Sequence, residues 1–417
     1  MNSASIVVCI LLSLLILVVP RKLLVLPFIM AVCLVPMNQR LIIFGLNFPV
    51  LRILMIVCML RLLVRNEIRQ IAWNSFDKLI LKWNIISTII YVILWGTLQA
   101  FIYKCGTMYD SLGLYWIFRQ FIISFDDITR IIKQFAIAAI ISAPLIAAEN
   151  IRGESFYTIF GPVGAKFHHG RFRCAGPFSH YIIMGVFWSS ILPLFYAKIK
   201  ENSSTFFYWV AIFASLTCIF YSASSTPILT VTAIIIFWQF YTFRAHGKKI
   251  MWFVFFALFT LHLVMKAPVW HILSRVDVFG GSTGWHRYFL FDEFIQHTSE
   301  WFFIGTQSTA EWGRGLFDLT NQYVLEAVQG GFIRLCFFIL ILYNGVKITG
   351  KYSLLDVSFS RKIIAWGVCV CLLGHIVTFW GVSYFGQMDM LLTLTFALVG
   401  FIKQETIEFQ ENIKLTV

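Results

Sequence analysis

Long apolar runs separated by short polar segments make up most of this sequence. Hydrophobic residues account for 59% of the 417 residues and charged residues for only 13%, whereas an ordinary soluble domain carries about 25% charged residues. One globular core cannot bury so much apolar surface, so the runs must face the hydrocarbon of a bilayer. The pattern predicts an all-α polytopic membrane protein with a single integral membrane domain, residues 1–417.

The apolar runs predict 12–13 transmembrane helices. Several runs are shorter than the ~20 residues that a perpendicular span needs, so residues 23–36 and 111–125 are candidates for half-helices or re-entrant segments. The first run ends at Pro20 without a small-residue cleavage site, which argues against a cleavable signal peptide. The predicted spans cover residues 3–19, 23–36, 41–64, 84–103, 111–125, 134–149, 181–197, 206–222, 227–243, 251–265, 323–346, 363–381 and 389–402.

The basic residues predict the orientation of the chain. The net charge of +13 would suggest a nucleic-acid partner in a soluble protein, but 19 of the 33 Lys and Arg fall in the segments on one side of the predicted spans. By the positive-inside rule that side is cytoplasmic, so we expect no nucleic-acid partner. The C-terminus then lies inside, and an odd number of spans places the N-terminus outside. Two long loops, residues 150–180 and 266–322, are predicted to be extracytoplasmic.

Two segments outside the spans have helical periodicity. In "WHRYFLFDEFIQHTSEWFFIG", apolar residues lie on one side and polar residues opposite, which predicts a helix at the outer membrane interface. The apolar residues are Phe291, Phe294, Ile295, Trp301 and Phe302. Residues 65–83 likewise predict an amphipathic helix on the cytoplasmic surface.

Arginines and histidines gather in the outer loops. The stretch "GRFRCAGPFSHY", residues 170–181, places Arg171 and Arg173 around an aromatic residue and ends near His180. An arginine fork suits the oxygens of a phosphate or diphosphate group, and a lipid diphosphate at the membrane surface presents such an anion. The simpler alternative is contact with ordinary anionic headgroups. The second loop adds polar candidates near the same face, namely His286, Arg287, Arg314, Asp318 and Asn321.

Other patterns are weaker. His168, His169 and His180 lack the spacing of a zinc site, so we expect no metal and no cofactor. The glycines of "GGSTG", residues 280–284, form a flexible segment and not a nucleotide-binding loop, because no Gly-Lys-Ser/Thr follows.

Three further interpretations concern single residues. Cys105 and Cys174 both fall on the outer side and could form a disulfide. Glu149 is most simply the ion partner of Arg152 or Arg173. Four arginines lie inside predicted spans, namely Arg52, Arg61, Arg119 and Arg334. A charge there is costly, so Arg52, Arg119 and Arg334 are functional candidates, although Arg119 and Arg334 can instead extend to the interface.

The order of four motifs resembles the O-antigen ligase/polymerase superfamily over roughly residues 110–345. "RFRCAGPFSHYIIMGVF" is similar to its outer-loop motif, and "SASSTPILTV" follows at a helix turn. "GWHRYFLFDEFIQHTSEWFFIGTQ" and "DLTNQYVLEAVQGGF" are similar to its later segments. The resemblance implies a metal-independent enzyme that transfers glycans from undecaprenyl diphosphate at the outer face of the bacterial inner membrane.

The resemblance also implies roles for individual residues. Arg171, Arg173 and Arg287 would stabilise the departing diphosphate, and Asp318 or Glu326 would accept the proton of the acceptor hydroxyl. Implied partners are the lipid-linked donor and acceptor glycans, membrane lipids, a flippase and a chain-length regulator. The remaining candidates for substrate binding are His180, His286, Arg314, Asn321 and Tyr323.

Three departures from the ligase pattern favour the polymerase branch. Thr320 stands where the ligases have a histidine, Gln329 stands near their glutamate, and the motif at 222–226 lacks an arginine. A ligase-type glycan transferase is one alternative. A lipid-linked glycan flippase or other transporter is another, of a different class, although such proteins often have internal repeats and no repeat is visible here.

Overall fold

The computed structural model describes all residues except 44, 169, 203, 276–282 and 417. Helices hold 75% of the described residues, which form fifteen α-helices and two small antiparallel hairpins and so confirm the all-α prediction. The helices of the first half are α1 Ser3–Val18, α2 Leu26–Leu34, α3 Val50–Val64, α4 Ser75–Trp95, α5 Leu98–Phe121, α6 Phe125–Arg152 and α7 Tyr181–Lys200.

The second half of the chain adds the remaining helices and one of the long loops. These helices are α8 Thr205–Tyr221, α9 Ser225–Gln239, α10 Gly247–Val264, α11 Thr283–Gln296, α12 Thr298–Trp301, α13 Gln322–Tyr352, α14 Phe359–Thr378 and α15 Gln387–Thr416. The strands are β1 Arg40–Ile43, β2 Leu46–Pro49, β3 Lys166–His168 and β4 Arg171–Arg173.

Each of the thirteen predicted spans overlaps at least one of these helices, but the predicted span 84–103 is wrong as a single helix, because α4 ends at Trp95 and α5 begins at Leu98. Within the described residues, seven helical segments are long and apolar enough to cross a membrane, which makes this a multi-pass membrane protein. They are α4, α6, α7, α10 with the turn before it, α13, α14 and α15. The apolar helices α1, α8 and α9 are shorter.

Contacts at the helix ends place the N-terminus beside the loop 150–180. The side chain of Asn2 donates to the carbonyl of Ile159 (2.6 Å), and Gln387 at the start of α15 donates to the carbonyl of Pro177 (2.9 Å). We call this end of the bundle the loop face. Helix α15 runs from it to the opposite end, so the two termini lie at opposite ends, as an odd number of spans predicts.

The predicted helix over residues 65–83 is wrong in its first half. Residues 67–74 form no helix, and α4 begins only at Ser75 because Asn74 and Asp77 form a reciprocal capping box. Asn74 also donates to the carbonyl of Gly400 (2.9 Å). A local signal for the helix start therefore prevails over the amphipathic pattern.

The predicted span 41–64 is wrong at its start, and the half-helix interpretation is wrong for residues 111–125, whereas a short helix is what it predicts for residues 23–36. Strands β1 and β2 pair as an antiparallel hairpin before Pro49 leads into α3. The segment 111–125 lies mostly within α5, a continuous helix of 24 residues, and α2 within 23–36 has only nine. Helices α4 and α5 meet at Gly96, whose φ of 60° suits a glycine at a tight turn.

Candidate functional site

The strand β4 orders the two arginines of the opening loop. It pairs with β3, which places Arg173 opposite Lys166 and Arg171 opposite His168. Arg171 is exposed, whereas Arg173 is partly buried. The Arg173 Nη1 donates to the hydroxyl of Tyr181 (2.9 Å), and its guanidinium lies 4.9 Å from the ring centroid. This cation–π contact holds Arg173 beside the start of α7.

Glu149 fixes the turn that follows β4. Its Oε1 accepts the backbone N–H groups of Ala175 (3.0 Å) and Gly176 (3.4 Å), and its Oε2 accepts the hydroxyl of Ser155 (2.7 Å). The prediction that Glu149 pairs with Arg152 or Arg173 is therefore wrong. The side chain is fully buried and acts as a backbone acceptor that shapes the loop.

Cys105 and Cys174, which could have paired on the outer side, form no disulfide, because both are free. Cys174 is fully buried, and its backbone N–H donates to the carbonyl of Tyr221 at the end of α8 (3.0 Å). Burial, reinforced by the carboxylate of Glu149, raises the pKa of the Cys174 thiol to about 12. The thiol therefore stays protonated and packs as a small apolar group.

His180 caps α7. Its Nδ1 accepts the backbone N–H of Ile182 (3.2 Å), which requires the neutral ring. Burial, with the charges of Lys166 and Arg173 nearby, lowers the pKa of His180 to about 4. A neutral histidine at this position offers hydrogen bonds but no positive charge.

Arg287 is buried, although the sequence pattern placed it at the membrane surface. Its side chain shares the buried face of α11 with Leu290 and Phe294 at helical spacing, and it is only 5% exposed. The Nη2 donates to the hydroxyl of Thr226 in the first turn of α9 (2.8 Å). The predicted helix is confirmed as far as Gln296, whereas Ile295 and Phe302 on its predicted apolar side are exposed.

The two arginine-bearing loops meet at the turn between α8 and α9. The loop of Arg173 contacts this turn through Cys174 and Tyr221, and Arg287 contacts it through Thr226. The turn is tight, because Ala223 adopts a φ of 44°. The structure therefore brings the two predicted catalytic arginines to the same part of the loop face.

Arg314 and Asp318 lie on the surface of the second loop and are exposed. The His286 Nε2 lies 3.4 Å from the backbone carbonyl of Asp318, so this segment borders the start of α11. This loop packs on α13 through the apolar cluster that includes Leu290, Trp312 and Val324.

Asn321 and Tyr323 have structural partners at the start of α13. The Asn321 Oδ1 accepts the backbone N–H groups of Tyr323 (2.9 Å) and Val324 (3.3 Å) and so caps the helix. The Tyr323 hydroxyl donates to the carbonyl of Ile376 on α14 (3.0 Å). Both side chains are thus engaged in positioning α13 against its neighbours.

The four arginines inside the predicted spans each pair with a carboxylate. This satisfies the charge inside the bundle, so neither Arg119 nor Arg334 needs to reach the interface. The pairs are Arg52 with Asp110 (2.8 Å), Arg61 with Glu67 (3.2 Å), Arg119 with Asp77 (3.0 Å) and Arg334 with Glu326 (2.7 Å).

The Glu326–Arg334 pair lines a polar cavity of about 300 Å³ between α4, α5, α13 and α15. The Glu326 carboxylate also accepts the amide of Gln322 (2.8 Å) and the indole N–H of Trp83 (3.3 Å). Opposite α13, the Lys104 Nζ lies 3.3 Å from the amide oxygen of Gln329, which also accepts from Arg334 (2.8 Å). Asp389 and Asp110 complete the charged groups of the lining.

A break in α13 lies between the two members of that pair. Gly331 has a φ of 66°, which favours glycine, and a Cβ there would lie 2.3 Å from the carbonyl oxygen of Phe303. The segment after α12 runs past the break, where Phe332 N–H donates to Phe302 (2.8 Å) and Thr306 N–H to Val328 (2.9 Å). The second loop therefore supplies hydrogen bonds to the interrupted helix.

Sequence reasoning missed Lys104 and Asp389 as site residues. The pattern placed Lys104 just outside a span and Asp389 at the edge of another, so neither stood out as an intramembrane charge. Their position beside apolar runs could have identified them, because an ionisable residue within an apolar run is by default a functional candidate.

No group of three or more His, Cys, Asp and Glu side chains that could hold a metal occurs in the described part of the chain. His169 lies outside the described residues, as do Gly280 and Gly281 of the predicted flexible segment. Comparison with known proteins adds no relative: no family model, curated protein or solved structure matches this chain.

Proposed function

We propose that this chain is a polymerase that joins undecaprenyl-diphosphate-linked oligosaccharide repeat units into O-antigen, capsule or exopolysaccharide. The reaction takes place at the loop face and needs no metal. The observation that supports it best is the approach of Arg173 and Arg287 to one turn beside the start of α9. The resemblance of the motif order to the O-antigen ligase/polymerase superfamily supplies the reaction class.

The surroundings of Arg287 suit an anion. Its guanidinium lies at the N-terminal turn of α9, where the backbone N–H groups and the helix dipole also favour negative charge. Ser224 at the cap position makes no side-chain capping bond. A diphosphate that approaches this turn gains charge-assisted hydrogen bonds from arginine.

In the proposed reaction, negative charge develops on the departing diphosphate. The oxygen of the acceptor hydroxyl attacks the anomeric carbon of the donor, and the bond from that carbon to the diphosphate oxygen breaks. The diphosphate leaves with the electron pair, so fixed guanidinium groups lower the barrier without a metal. The hydroxyl proton passes to a carboxylate, for which Glu326 inside the cavity is the first candidate and the exposed Asp318 the second.

The proposed reaction requires the loop face to lie on the outer side of the membrane. The basic residues favour a cytoplasmic position for the end opposite the loop face. The loop face then looks into the periplasm from a bacterial inner membrane, where a flippase delivers the carrier-linked units and a chain-length regulator sets the polymer size. Reporter fusions at Thr309 and Gly350 should then report opposite sides of the membrane.

The test is turnover of purified protein in lipid with carrier-linked repeat units. Arg287→Ala should lower the rate roughly 100- to 1,000-fold, because a donor to the developing anion is lost. Arg173→Ala should also lower the rate. Lysine at either position should not restore activity, because its ammonium lacks the bidentate fork. Arg152→Ala is the matched control, since that arginine contacts the ring of Phe156 (4.8 Å) and should be mild.

Equal small losses at all three arginines, with lysine tolerated throughout, would favour simple headgroup contact. Elongation should also persist in excess EDTA, and activity that EDTA abolishes and a divalent ion restores would contradict the metal-free mechanism. In a deletion strain, single-repeat products indicate a polymerase, whereas polymer accumulating on the carrier indicates a ligase.

A flippase is the second candidate, because one observation favours it. Helix α13 is interrupted beside intramembrane charges, an arrangement that transporters use at their binding sites. Vesicles that contain purified protein and labelled carrier-linked glycan separate the two functions. Movement of the glycan across the bilayer without elongation would support the flippase.

A further inference from the structure

The cavity between α4, α5, α13 and α15 contains charges that the proposed diphosphate chemistry does not use. Two of these charges are already in ion pairs within or beside the lining: Arg334 is paired with Glu326, and Asp110 is paired with Arg52 at the margin. Lys104 and Asp389 form no ion pair in the described part of the chain. Lys104 is buried under the ring of Tyr91 (4.4 Å), whereas Asp389 is exposed and lines the cavity.

The charges of the lining balance when Arg52 is included, because the three cations face three anions. A ligand with a net charge would add an uncompensated ion to a lining whose charges already balance, which is costly. An electrically neutral ligand avoids that cost. It must still satisfy an ammonium group that donates and a carboxylate that accepts.

Hydroxyl groups meet both demands, because each one donates one hydrogen bond and accepts others. Bonds to Lys104 and Asp389 would be charge-assisted and therefore short and strong. Asn84 and Gln329 add amide groups to the lining, and Trp83 adds an aromatic surface against which the C–H groups of a sugar ring can pack. The volume of about 300 Å³ is at the lower limit for small-molecule sites, so it suits a single sugar ring better than a chain.

We propose that this cavity is a saccharide subsite that takes one uncharged sugar residue, with its hydroxyls bound between Lys104 and Asp389. The inference rests on the proposed function for the source of the sugar, which is a residue of the carrier-linked repeat unit. It adds that the residue in the cavity is neither acidic nor basic. Lys104 and Asp389 are then specificity-determining residues.

A cysteine-protection experiment tests this subsite without any need for polymerisation. Thr107 lines the cavity, so Thr107→Cys in a Cys105→Ser background of the full-length chain gives a reporter thiol. The matched control is Thr232→Cys, because Thr232 is exposed on α9 and, like Thr107, bonds to a backbone carbonyl of its own helix. The probes are methyl glycosides of glucose, galactose and N-acetylglucosamine, with glucuronate and glucosamine as charged counterparts. Neutral and acidic oligosaccharides released from the host's carrier lipids, separated by anion exchange, complete the set.

The expected result is slower modification of Thr107→Cys, but not of Thr232→Cys, with at least one uncharged glycoside or the neutral oligosaccharides. Asp389→Asn should weaken that protection roughly 10- to 100-fold, because a hydrogen bond to a charged group is lost. Protection by charged sugars or the acidic fraction alone, protection by no probe, or protection unchanged in both Asp389→Asn and Lys104→Gln would overturn the subsite. A polymerase that turns over without protection contradicts only the subsite, and protection without turnover contradicts only the polymerase.

Discussion

Two buried glutamates, one in the cavity and one under the arginine loop, are held by different kinds of partner. Glu326 pairs with the guanidinium of Arg334 at 2.7 Å, whereas Glu149 is held by one hydroxyl and two backbone N–H groups. Both side chains are almost fully buried. The same change in the two regions should therefore have different costs, because only in the cavity does it leave a charge uncompensated.

The largest expected effect is that of Glu326→Gln. Removing one member of a buried ion pair typically costs about 3–5 kcal/mol of unfolding free energy, because the charge of Arg334 stays buried without a partner. Denaturant unfolding of the purified protein in detergent measures it. The double variant Glu326→Gln/Arg334→Gln should recover most of the loss, and a double variant as unstable as the single one would contradict this explanation.

The next largest effect should come from the break in α13. Gly331→Ala puts a Cβ at positive φ, which costs roughly 1–3 kcal/mol, and the contact with the carbonyl of Phe303 adds to that. Gly350→Ala is the matched control in the same helix, because a Cβ there meets nothing within 4 Å. Thermal unfolding of the two variants should separate them clearly. Equal midpoints would show that the break is not fixed by Gly331.

A smaller effect is expected when the glutamate under the arginine loop is changed in the same way. Glu149→Gln keeps an oxygen for the N–H groups of Ala175 and Gly176 and leaves no charge behind, so the unfolding free energy should change by only about 0.5–1.5 kcal/mol. Glu149→Ala removes the acceptor and should cost more. A loss with glutamine as large as that of Glu326→Gln would remove the distinction between the two regions.

A prediction of a different kind concerns the pH dependence of the loop. The folded-state pKa of His180 is about 4, below its ordinary value of 6.5, so between these pH values the unfolded chain binds a proton that the folded chain does not. The contribution of His180 to stability is therefore complete above pH 6.5 and is lost as the pH falls towards 4. His180→Asn keeps a helix cap without titrating, so its stability should fall less over this range. Identical pH profiles of the unfolding midpoint would contradict the assignment.

The positions of the helices could be predicted because apolar run length is a local property. Their ends could not, because these depend on particular groups such as the capping box of Asn74 and the turn at Gly96. The hairpin β1–β2 was missed because its residues read as the start of an apolar span. Its pairing forms next to the N-terminus, where the amino group of Met1 donates to the carbonyl of Arg40 (2.9 Å).

The candidate site was predictable only in part, for the same reason. Arginine-rich loops are visible in the sequence, and both Arg173 and Arg287 lie on the loop face. The burial of Arg287 depends on which face of α11 packs inward, and that is set by α9 and α13. The cavity depends on four helices that are distant in sequence, so the proximity of Lys104 to Gln329 could not be inferred from either segment alone.

The break at Gly330 and Gly331 changes which residues of α13 count as neighbours. In an uninterrupted α-helix, residues eight apart rise by about 12 Å along the axis, so their side chains belong to different levels of the membrane. Across the break, Glu326 and Arg334 are eight residues apart and yet share a bond of 2.7 Å. A Gly-Gly step inside an apolar segment can thus bring together charges that the rise of a continuous helix would place at separate depths.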